Sequence, residues 1–272
     1  MNNLNYGIDK GHCLSGADTG AQGVKSEEIL TREVGNLVVL KLKNLGYTVI
    51  DCTIDKANSI NESLVYRVKK ANSNNVSFYV SIHFNSGGGH GVEVWIGSES
   101  SRMVGSRVAA YIALLGFTNR GVKVQGIDGH HLYVLSNTLM PSILVECAFV
   151  DSVDDMNRYN AEDLSNAIVK GLTGNSFTQT GWYKGNGTWY YYSNGIMAKN
   201  TWAKDSSNRW FYLGITGAMV TNGWGKDSSQ RWFYLGPDGA MVTNSWAEDS
   251  HGWCYLGLDG AWDGITHTNK EI

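Results

Sequence analysis

The chain has 272 residues, which exceeds the usual size of one domain and predicts two domains. Its 22 basic and 25 acidic side chains give a formal charge of -3, which excludes the basic surface typical of a nucleic-acid-binding protein. No apolar run approaches the roughly 18 residues of a membrane span, and the first residues lack the basic and apolar regions of a signal peptide. We therefore expect no nucleic-acid partner, no membrane insertion and synthesis in a cytoplasm, where the scattered cysteines stay reduced.

The first 175 residues alternate between strand and helix patterns. The predicted strands cover residues 4–8, 47–52, 76–83, 91–96 and 143–149, and the predicted helices cover residues 27–45, 63–73, 101–115 and 161–172. The short apolar run 132–135 also favours a strand. Alternation of this kind predicts an α/β fold with a mostly parallel central sheet flanked by helices.

Candidate metal ligands lie at the ends of these strands, where the active sites of open α/β sheets gather. His12 follows the first strand, His83 ends the third, and Glu27 and Glu28 open the first long helix. Two imidazoles and one carboxylate form a set that binds zinc and leaves its fourth position open for water. The same residue types also occur as hydrogen-bonded structural histidines and as acidic residues that favour a helix N-terminus, so spacing alone leaves both interpretations open.

The apolar strand 143–149 contains one carboxylate, Glu146. An ionised side chain is costly on such a strand unless it has a partner or a chemical task. The carboxylate could pair with an arginine, or it could transfer a proton beside a metal ion. Both roles are consistent with the residues alone.

Four segments of this part resemble, in order, the motifs of the zinc-dependent N-acetylmuramoyl-L-alanine amidases with an α/β fold. They are GIDKGHCLSGADTGAQGVKSEE, VSFYVSIHFNS, NRGVK and LYVLSNTLMPSILVECAFVDS. The resemblance implies that zinc is bound by His12, by Glu27 or Glu28, and by His83, and that Glu146 is the catalytic glutamate. We choose Glu27, because the family spacing from the preceding glycine-rich segment falls there.

Tryptophan divides the chain: Trp95 is the only one before residue 181, and nine lie between Trp182 and Trp262. The polar segment 174–181 has the composition of a linker. After it the sequence repeats four times, with the first tryptophans of the units spaced by 20, 22 and 22 residues. Each unit predicts one β-hairpin, and because a lone hairpin is marginally stable, we expect the hairpins to stack into an all-β solenoid.

The aromatic residues of the repeats have two predicted roles. Alternation along the strands places Phe211, Phe233 and Cys254 on one face as core residues. The opposite face has more tryptophan and tyrosine than a small core can enclose, and a methionine recurs at the junctions between units. Aromatic rings closed by a thioether suit a quaternary ammonium ion.

Residues 178–272 resemble the choline-binding repeats of Gram-positive cell-wall proteins. The resemblance implies about three sites between neighbouring hairpins, with choline-bearing teichoic or lipoteichoic acid of the wall as the multivalent partner. The implied ligand residues are Trp182, Trp189, Tyr191 and Met197 in the first unit, Trp202, Trp210, Tyr212 and Met219 in the second, Trp224, Trp232, Tyr234 and Met241 in the third, and Trp246, Trp253 and Tyr255 in the fourth. Related repeats bind other wall polymers or glucans, so the identity of the ligand stays open.

The two resemblances imply an endolysin or autolysin of a Gram-positive phage or bacterium. Residues 1–177 would cleave the peptidoglycan amide between N-acetylmuramic acid and the L-alanine of the stem peptide, and residues 178–272 would hold the protein on the wall. We expect synthesis in the host cytoplasm and action at the wall after release. Two alternatives stay open, namely a cysteine-dependent wall amidase that uses Cys13 or Cys147 and a non-catalytic wall-binding or adhesion protein. The unpaired face of the last hairpin, around Trp253, also leaves open a homodimer through the repeats.

Overall fold

The structure, a computed structural model, describes residues 4–178, 180–185 and 187–270. It consists of two compact units, Met1–Phe177 and Thr178–Ile272. The boundary between them falls in the predicted linker, of which Gln179 lies outside the described residues. The division of function between the two units stays a prediction.

The first unit contains a six-stranded sheet. The strands of the whole first unit are β1 (Asn5–Lys10), β2 (Ser15–Gly16), β3 (Thr48–Asp51), β4 (Lys56–Ala57), β5 (Phe78–Asn85), β6 (Val92–Ile96), β7 (Asn119–Val124) and β8 (Ser142–Phe149). Its helices are α1 (Glu27–Asn44), α2 (Ile60–Ser73), α3 (Arg102–Ala113), α4 (Tyr133–Asn137), α5 (Val153–Arg158) and α6 (Ala161–Thr173), with a 3-10 turn at Glu99–Ser101. The sheet order is β3-β1-β5-β8-β6-β7, while β2 and β4 form a separate pair. Neighbouring strands of the large sheet are parallel except β6 and β8, so the predicted α/β fold class is confirmed.

The helices cover both faces of this sheet. On α1, Leu30, Val34, Val38 and Leu42 recur at helical spacing and are at most 2% exposed, because this stripe packs on the sheet together with α3 and α6. The opposite face carries a smaller cluster in which α2 and α4 pack on side chains such as Trp95. The carboxyl ends of β1, β5 and β8 therefore meet at one edge between the helix layers.

The segment around residues 132–135 is helical, so the predicted strand there is wrong. The carbonyl of Leu132 accepts hydrogen bonds from the amides of Leu135 and Ser136, which begins α4. Val134 and Leu135 are buried against a face of the sheet, where the backbone has no strand edge to pair with and must satisfy its polar groups locally.

The second unit consists of antiparallel hairpins, as the repeats predict. Its strands are β9 (Gly181–Gly185), β10 (Thr188–Ser193), β11 (Ile196–Met197), β12 (Thr201–Lys204), β13 (Trp210–Leu213), β14 (Gly223–Lys226), β15 (Trp232–Leu235), β16 (Ser245–Asp249), β17 (Gly252–Leu256) and β18 (Trp262–His267). The four hairpins are β9–β10, β12–β13, β14–β15 and β16–β17, and β18 adds a third strand to the last. No helix in the described part of the chain is long and apolar enough to span a membrane.

In the first two units, the first tryptophan contacts the following hairpin. The ring of Trp202 lies 5.3 Å from that of Phe233 in the next unit, and its indole Nε1 donates to the carbonyl of Lys226 at 3.0 Å. Trp182 makes the same pair of contacts one unit earlier. Phe211, Phe233 and Cys254 are each at most 5% exposed, so the predicted inward face of the hairpins is confirmed.

Candidate functional site

Three predicted metal ligands converge at the carboxyl edge of the first sheet. His12 lies in the loop after β1, His83 lies near the end of the adjacent strand β5, and Glu27 is the first residue of α1. One ligand atom from each of the three lies within 4.8 Å of the other two. The rings of His12 and His83 are nearly perpendicular, with centroids 4.9 Å apart. Two imidazoles and a carboxylate in this arrangement could hold a divalent metal ion.

The structure separates the two adjacent glutamates. Glu27 is 3% exposed, and its carboxylate lies 3.0 Å from Nδ1 of His83 and 3.2 Å from Nε2 of His12. The backbone amides of Ala21 and Phe84 donate to the same carboxylate. Glu28 instead accepts hydrogen bonds at the surface from Gln22, at 3.0 Å. Glu27 is thus the glutamate that meets the histidines, and its ligation of zinc stays a prediction.

The backbone of His12 is held in an uncommon conformation. Its φ of 60° lies in the left-handed region, which costs a residue with a side chain about 1–3 kcal/mol. Arg32 and Arg67 both donate to the carbonyl of His12 and fix this loop. Asp18 lies 3.1 Å from Nδ1 of His12, so that Nε2 faces Glu27. A carboxylate behind a metal-binding histidine orients the ring and fixes its tautomer.

The carboxylates dominate the electrostatics of the ligand set. Burial by itself lowers the pKa of His12, but hydrogen bonds to Asp18 and Glu27 raise it to about 10 in the metal-free protein. Burial raises the pKa of Glu27, and His12 and His83 outweigh this and hold it far below its usual range. Glu27 is therefore ionised at neutral pH and ready to bind a cation.

Gly11 leaves the space that His83 needs. A Cβ atom at this position would lie 2.3 to 2.6 Å from three atoms of the His83 ring. We expect Gly11→Ala to push the ring away from Glu27, to destabilise the fold by about 1–3 kcal/mol and to lower zinc content. Thermal unfolding and metal analysis measure both effects. Gly214→Ala is the control, since its Cβ would meet nothing closer than 3.5 Å, and unchanged zinc content in Gly11→Ala would contradict the expectation.

Glu146 lies beside the ligand set, on β8. It is in register with His83 on β5 and with Glu93 on β6. Its Oε2 atom is buried and has no hydrogen-bond partner within the described ranges, where no arginine forms an ion pair with it either. Burial, followed by the charges of Glu27 and Glu93, raises its pKa well above the usual value for a glutamate. The Glu146 side chain is partly exposed, but a buried carboxyl oxygen without a partner is costly, which favours the chemical task over the structural one.

The cysteines do not form an alternative nucleophilic site. Cys13 and Cys147 are fully buried. Burial, and then the neighbouring Glu146, raises the pKa of Cys147 well above the usual value. Since the thiolate is the reactive form of cysteine, the structure gives no support to the cysteine-dependent alternative.

A cavity of about 260 Å³ adjoins the two histidines. Its lining includes His12, His83 and Arg67 together with His131 and Tyr133 from the segment before and within α4. No sequence pattern distinguishes His131 from the other histidines as a site residue, because its loop joins the site only when α4 packs across the sheet. Neighbouring His130 instead packs its ring edge against Trp95, with centroids 5.1 Å apart.

The predicted choline ligands form a recurring arrangement in the second unit. The first tryptophan of each hairpin is paired across the strands with a tyrosine, in the pairs Trp182–Tyr191, Trp202–Tyr212, Trp224–Tyr234 and Trp246–Tyr255. The second tryptophans of the first three hairpins are about 40% exposed, so their rings are accessible to a ligand; they are Trp189, Trp210 and Trp232. Trp253 is less exposed. A lysine Nζ already lies over the ring of all four second tryptophans, at 5.7 Å from the centroid for Lys184 on Trp189, 4.5 Å for Lys204 on Trp210, 4.3 Å for Lys226 on Trp232 and 4.1 Å for Lys270 on Trp253.

The methionines connect each unit to the preceding one. The amide of Met219 donates to the carbonyl of Trp189, and the amide of Met241 donates to the carbonyl of Trp210, both at 2.8 Å. A junction therefore combines the second tryptophan of one unit with the methionine of the next. Met197 is buried and pairs with Tyr192 within the first unit.

The last junction differs from the others. Trp262 stands where the methionine would be, and its ring centroid lies 5.6 Å from that of Trp224. The indole Nε1 of Trp224 donates to the carboxylate of Asp249 and not to a backbone carbonyl. With Cys254 in place of a phenylalanine, a cavity of about 410 Å³ remains, lined also by Trp232. The last junction therefore leaves an open cavity that could take a ligand.

Comparison with known proteins assigns a family to each region. Residues 7–175 match the model of the N-acetylmuramoyl-L-alanine amidases, and residues 200–219 and 222–241 match that of a cell wall binding repeat. The sporulation-specific N-acetylmuramoyl-L-alanine amidase of Bacillus subtilis is 30% identical over 60% of this chain and 63% of its own length. The endolysin of Bacillus phage SPP1 is 27% identical over 60% of this chain and 61% of its own length.

Among solved structures, an N-acetylmuramoyl-L-alanine amidase has a similar fold. N-acetylmuramoyl-L-alanine amidase AmiC2 of Nostoc punctiforme superposes with a TM-score of 0.54 and 27% identity, over 63% of this chain and 96% of that one. Both family resemblances drawn from the sequence are thus confirmed. The matches span less than two thirds of the two curated relatives named above, and zinc dependence stays a prediction.

Proposed function

Because the chain belongs to the N-acetylmuramoyl-L-alanine amidase family, we propose that it is a zinc-dependent amidase of peptidoglycan. The bond cleaved joins N-acetylmuramic acid to the L-alanine of the stem peptide. Residues 1–177 carry the activity, and residues 178–272 attach the protein to the wall. The observation that supports this most is the convergence of His12, Glu27 and His83, with Glu146 in register with His83 on the neighbouring strand.

The donor set fits zinc. Two neutral imidazole nitrogens and one carboxylate oxygen are ligands that zinc prefers, and three protein ligands leave a position for substrate or water. The carboxylate of Asp18 behind His12 supplies the usual outer support of such a ligand. Zinc held by these residues would act as a Lewis acid on the amide carbonyl and would lower the pKa of a water molecule.

Glu146 is the residue of this chain that transfers the proton. Its raised pKa favours the protonated form of the carboxyl group, which is the form that can give a proton to the departing amine. The position of β8 next to β5 puts this group in register with His83, on the side of the sheet where the ligands converge.

Zinc affinity should rise with pH. In the metal-free protein His12 titrates at about 10, so near neutrality it is protonated and zinc must displace that proton. We expect the affinity to rise by about tenfold per pH unit between pH 6 and 8. Titration calorimetry in buffers of different ionisation enthalpy measures the proton released. Asp18→Asn should lower the pKa of His12 and reduce the release, whereas heats that do not depend on the buffer would contradict this assignment.

The repeats would bind choline groups of wall teichoic or lipoteichoic acid. Exposed Trp189, Trp210 and Trp232, each next to a junction, offer ring faces to a quaternary ammonium ion. Each such site is weak, and several of them acting on a polymer that repeats the ligand give avidity of about 10²–10⁴-fold. This supports an endolysin or autolysin that acts at the wall.

Free choline should separate binding from catalysis. We expect an excess of choline to release the protein from choline-bearing walls and to slow their lysis at least about tenfold, because it breaks the multivalent attachment. Hydrolysis of a soluble muropeptide should not change. Sodium chloride at equal ionic strength is the control, and Trp210→Ala should weaken wall binding without choline. Lysis that is insensitive to choline would indicate a different wall ligand.

The decisive test of the activity is mass spectrometry of fragments released from purified Gram-positive wall. The protein is assayed as isolated, after chelation and after zinc is restored. Stem peptides that begin at L-alanine, lost with chelator and recovered with zinc, would support the proposal. Cleaved glycan, a cut within the peptide or no release would overturn it.

A further inference from the structure

A row of charged side chains extends from the ligand set across three more strands. Glu146 on β8 is in register with Glu93 on β6, on the side away from His83. Arg120 and Lys123 follow on the edge strand β7, whose backbone pairs with β6. The row therefore begins at a candidate metal ligand and ends at two cationic groups.

Glu93 anchors those two groups. It is 3% exposed, and its Oε2 accepts from Nε of Arg120 and from Nζ of Lys123, each at 2.8 Å. Its other oxygen accepts from the indole of Trp95 at 3.1 Å. Cation–π contacts also hold the two cations. Nζ of Lys123 lies 5.0 Å from the ring centroid of Trp95, and Cζ of Arg120 lies 5.0 Å from that of Phe149. These contacts hold the Arg120 and Lys123 side chains in defined positions.

The charges of this group do not cancel. Two cations share one carboxylate, and within the described ranges neither forms an ion pair with any other acidic residue. The side chain of Glu93 is 5% exposed, while those of Arg120 and Lys123 are 35% and 31% exposed. The acid is thus covered, and the surplus positive charge faces solvent at the end of the row.

We propose that Arg120 and Lys123 form a binding site for a carboxylate of the substrate, on the peptide side of the amide that is cleaved. The inference rests on the proposed amidase function and adds a determinant of substrate choice to it. Arginine and lysine bind carboxylates through charge-assisted hydrogen bonds, and Glu93 keeps both heads oriented. The sugar side of the amide is dominated by neutral hydroxyl and amide groups, whereas a stem peptide supplies the anion.

The spacing suits a group near the start of the peptide. Adjacent strands lie about 4.8 Å apart, so β7 is roughly 10 Å from β8. Both cationic heads turn back toward Glu93 and shorten this distance. An extended peptide advances about 3.4 Å per residue, so a carboxylate one to three residues beyond the cleaved amide falls within reach. The second residue of the stem is the nearest acidic one.

The test compares two soluble substrates with the full-length, zinc-loaded protein. They are N-acetylmuramoyl-L-alanyl-γ-D-glutamyl-L-lysine amide and its counterpart with D-isoglutamine as the second residue of the peptide. The only difference between them is the α-carboxylate or α-carboxamide of that residue, and neither has another free carboxylate. We expect kcat/KM to be at least about tenfold lower for the amide, mainly through KM, because a charge-assisted contact is lost. Equal values for the two substrates overturn the inference and leave the amidase function standing. Cleavage of neither substrate overturns the proposed function itself, and the inference with it.

Variants distinguish recognition from structural support. Lys123→Gln should lower kcat/KM for the carboxylate substrate several-fold more than that for the amide substrate, so that the ratio of the two values falls. If Lys123 only neutralised Glu93, both substrates would lose equally, and that result overturns the inference. Arg102→Gln is the matched control, because Arg102 forms an exposed ion pair with Glu99 away from the row. The comparison of substrates on the unaltered protein stands even if a variant folds poorly.

Discussion

Glu146→Gln is expected to lower the rate of amide cleavage by about 10²–10⁴-fold, the usual contribution of a general acid or base. Glu146 has one buried carboxyl oxygen, is in register with His83 and has a raised pKa. An amide of the same shape fits this space but cannot give or take the proton. Turnover of a soluble muropeptide measures the loss.

The fold and the zinc content of Glu146→Gln should be preserved. A neutral amide costs less to bury than a carboxylate, so the thermal midpoint should be equal to or above that of the unaltered protein. Zinc analysis should show the same occupancy, because Glu146 is not one of the three clustered ligand residues. Activity within a few-fold of the unaltered protein would show that another group transfers the proton.

Glu27→Ala should remove both zinc and activity, whereas Glu28→Ala should keep both. The two residues are neighbours of the same type, but only Glu27 lies within 3.2 Å of the histidines, and Glu28 contacts Gln22 at the surface. Loss of Glu27 leaves two protein ligands, which is too few for a stable zinc site. We expect zinc occupancy to fall from about one to nearly zero and turnover to fall below detection.

This matched pair is its own control for helix stability, since each variant replaces one acidic residue in the first turn of α1. Metal analysis after gel filtration and turnover of a soluble muropeptide measure the two outcomes. The reverse pattern, with zinc lost from Glu28→Ala, would overturn the ligand assignment.

Local patterns in the sequence were sufficient to predict the main elements. The stripe of Leu30, Val34 and Val38 predicts α1, and the repeated tryptophans predict the hairpins, because in both cases the period of the side chains is the period of the structure. Strand ends also pointed to His12 and His83. These features depend on neighbours along the chain.

The remaining parts depend on how strands are ordered. β7 has only two apolar residues, Val122 and Val124, and this alternation is too short to predict a strand. The meeting of Glu93 with Lys123 requires that β6 and β7 are neighbours, and the meeting of Glu93 with Glu146 requires the antiparallel pairing of β6 with β8. Asp18 reaches His12 through a loop whose shape is set by Arg67. Such contacts join residues from separate segments and have no local signature.

The junctions of the second unit have a consequence for how such proteins change over generations. Trp182 and Trp202 make the same stacking contact and the same indole hydrogen bond to the following unit, and Met219 and Met241 make the same backbone contact to the preceding one. An in-frame duplication of one internal unit would therefore arrive with both of its junctions already formed. Recombination could therefore lengthen or shorten the array one hairpin at a time.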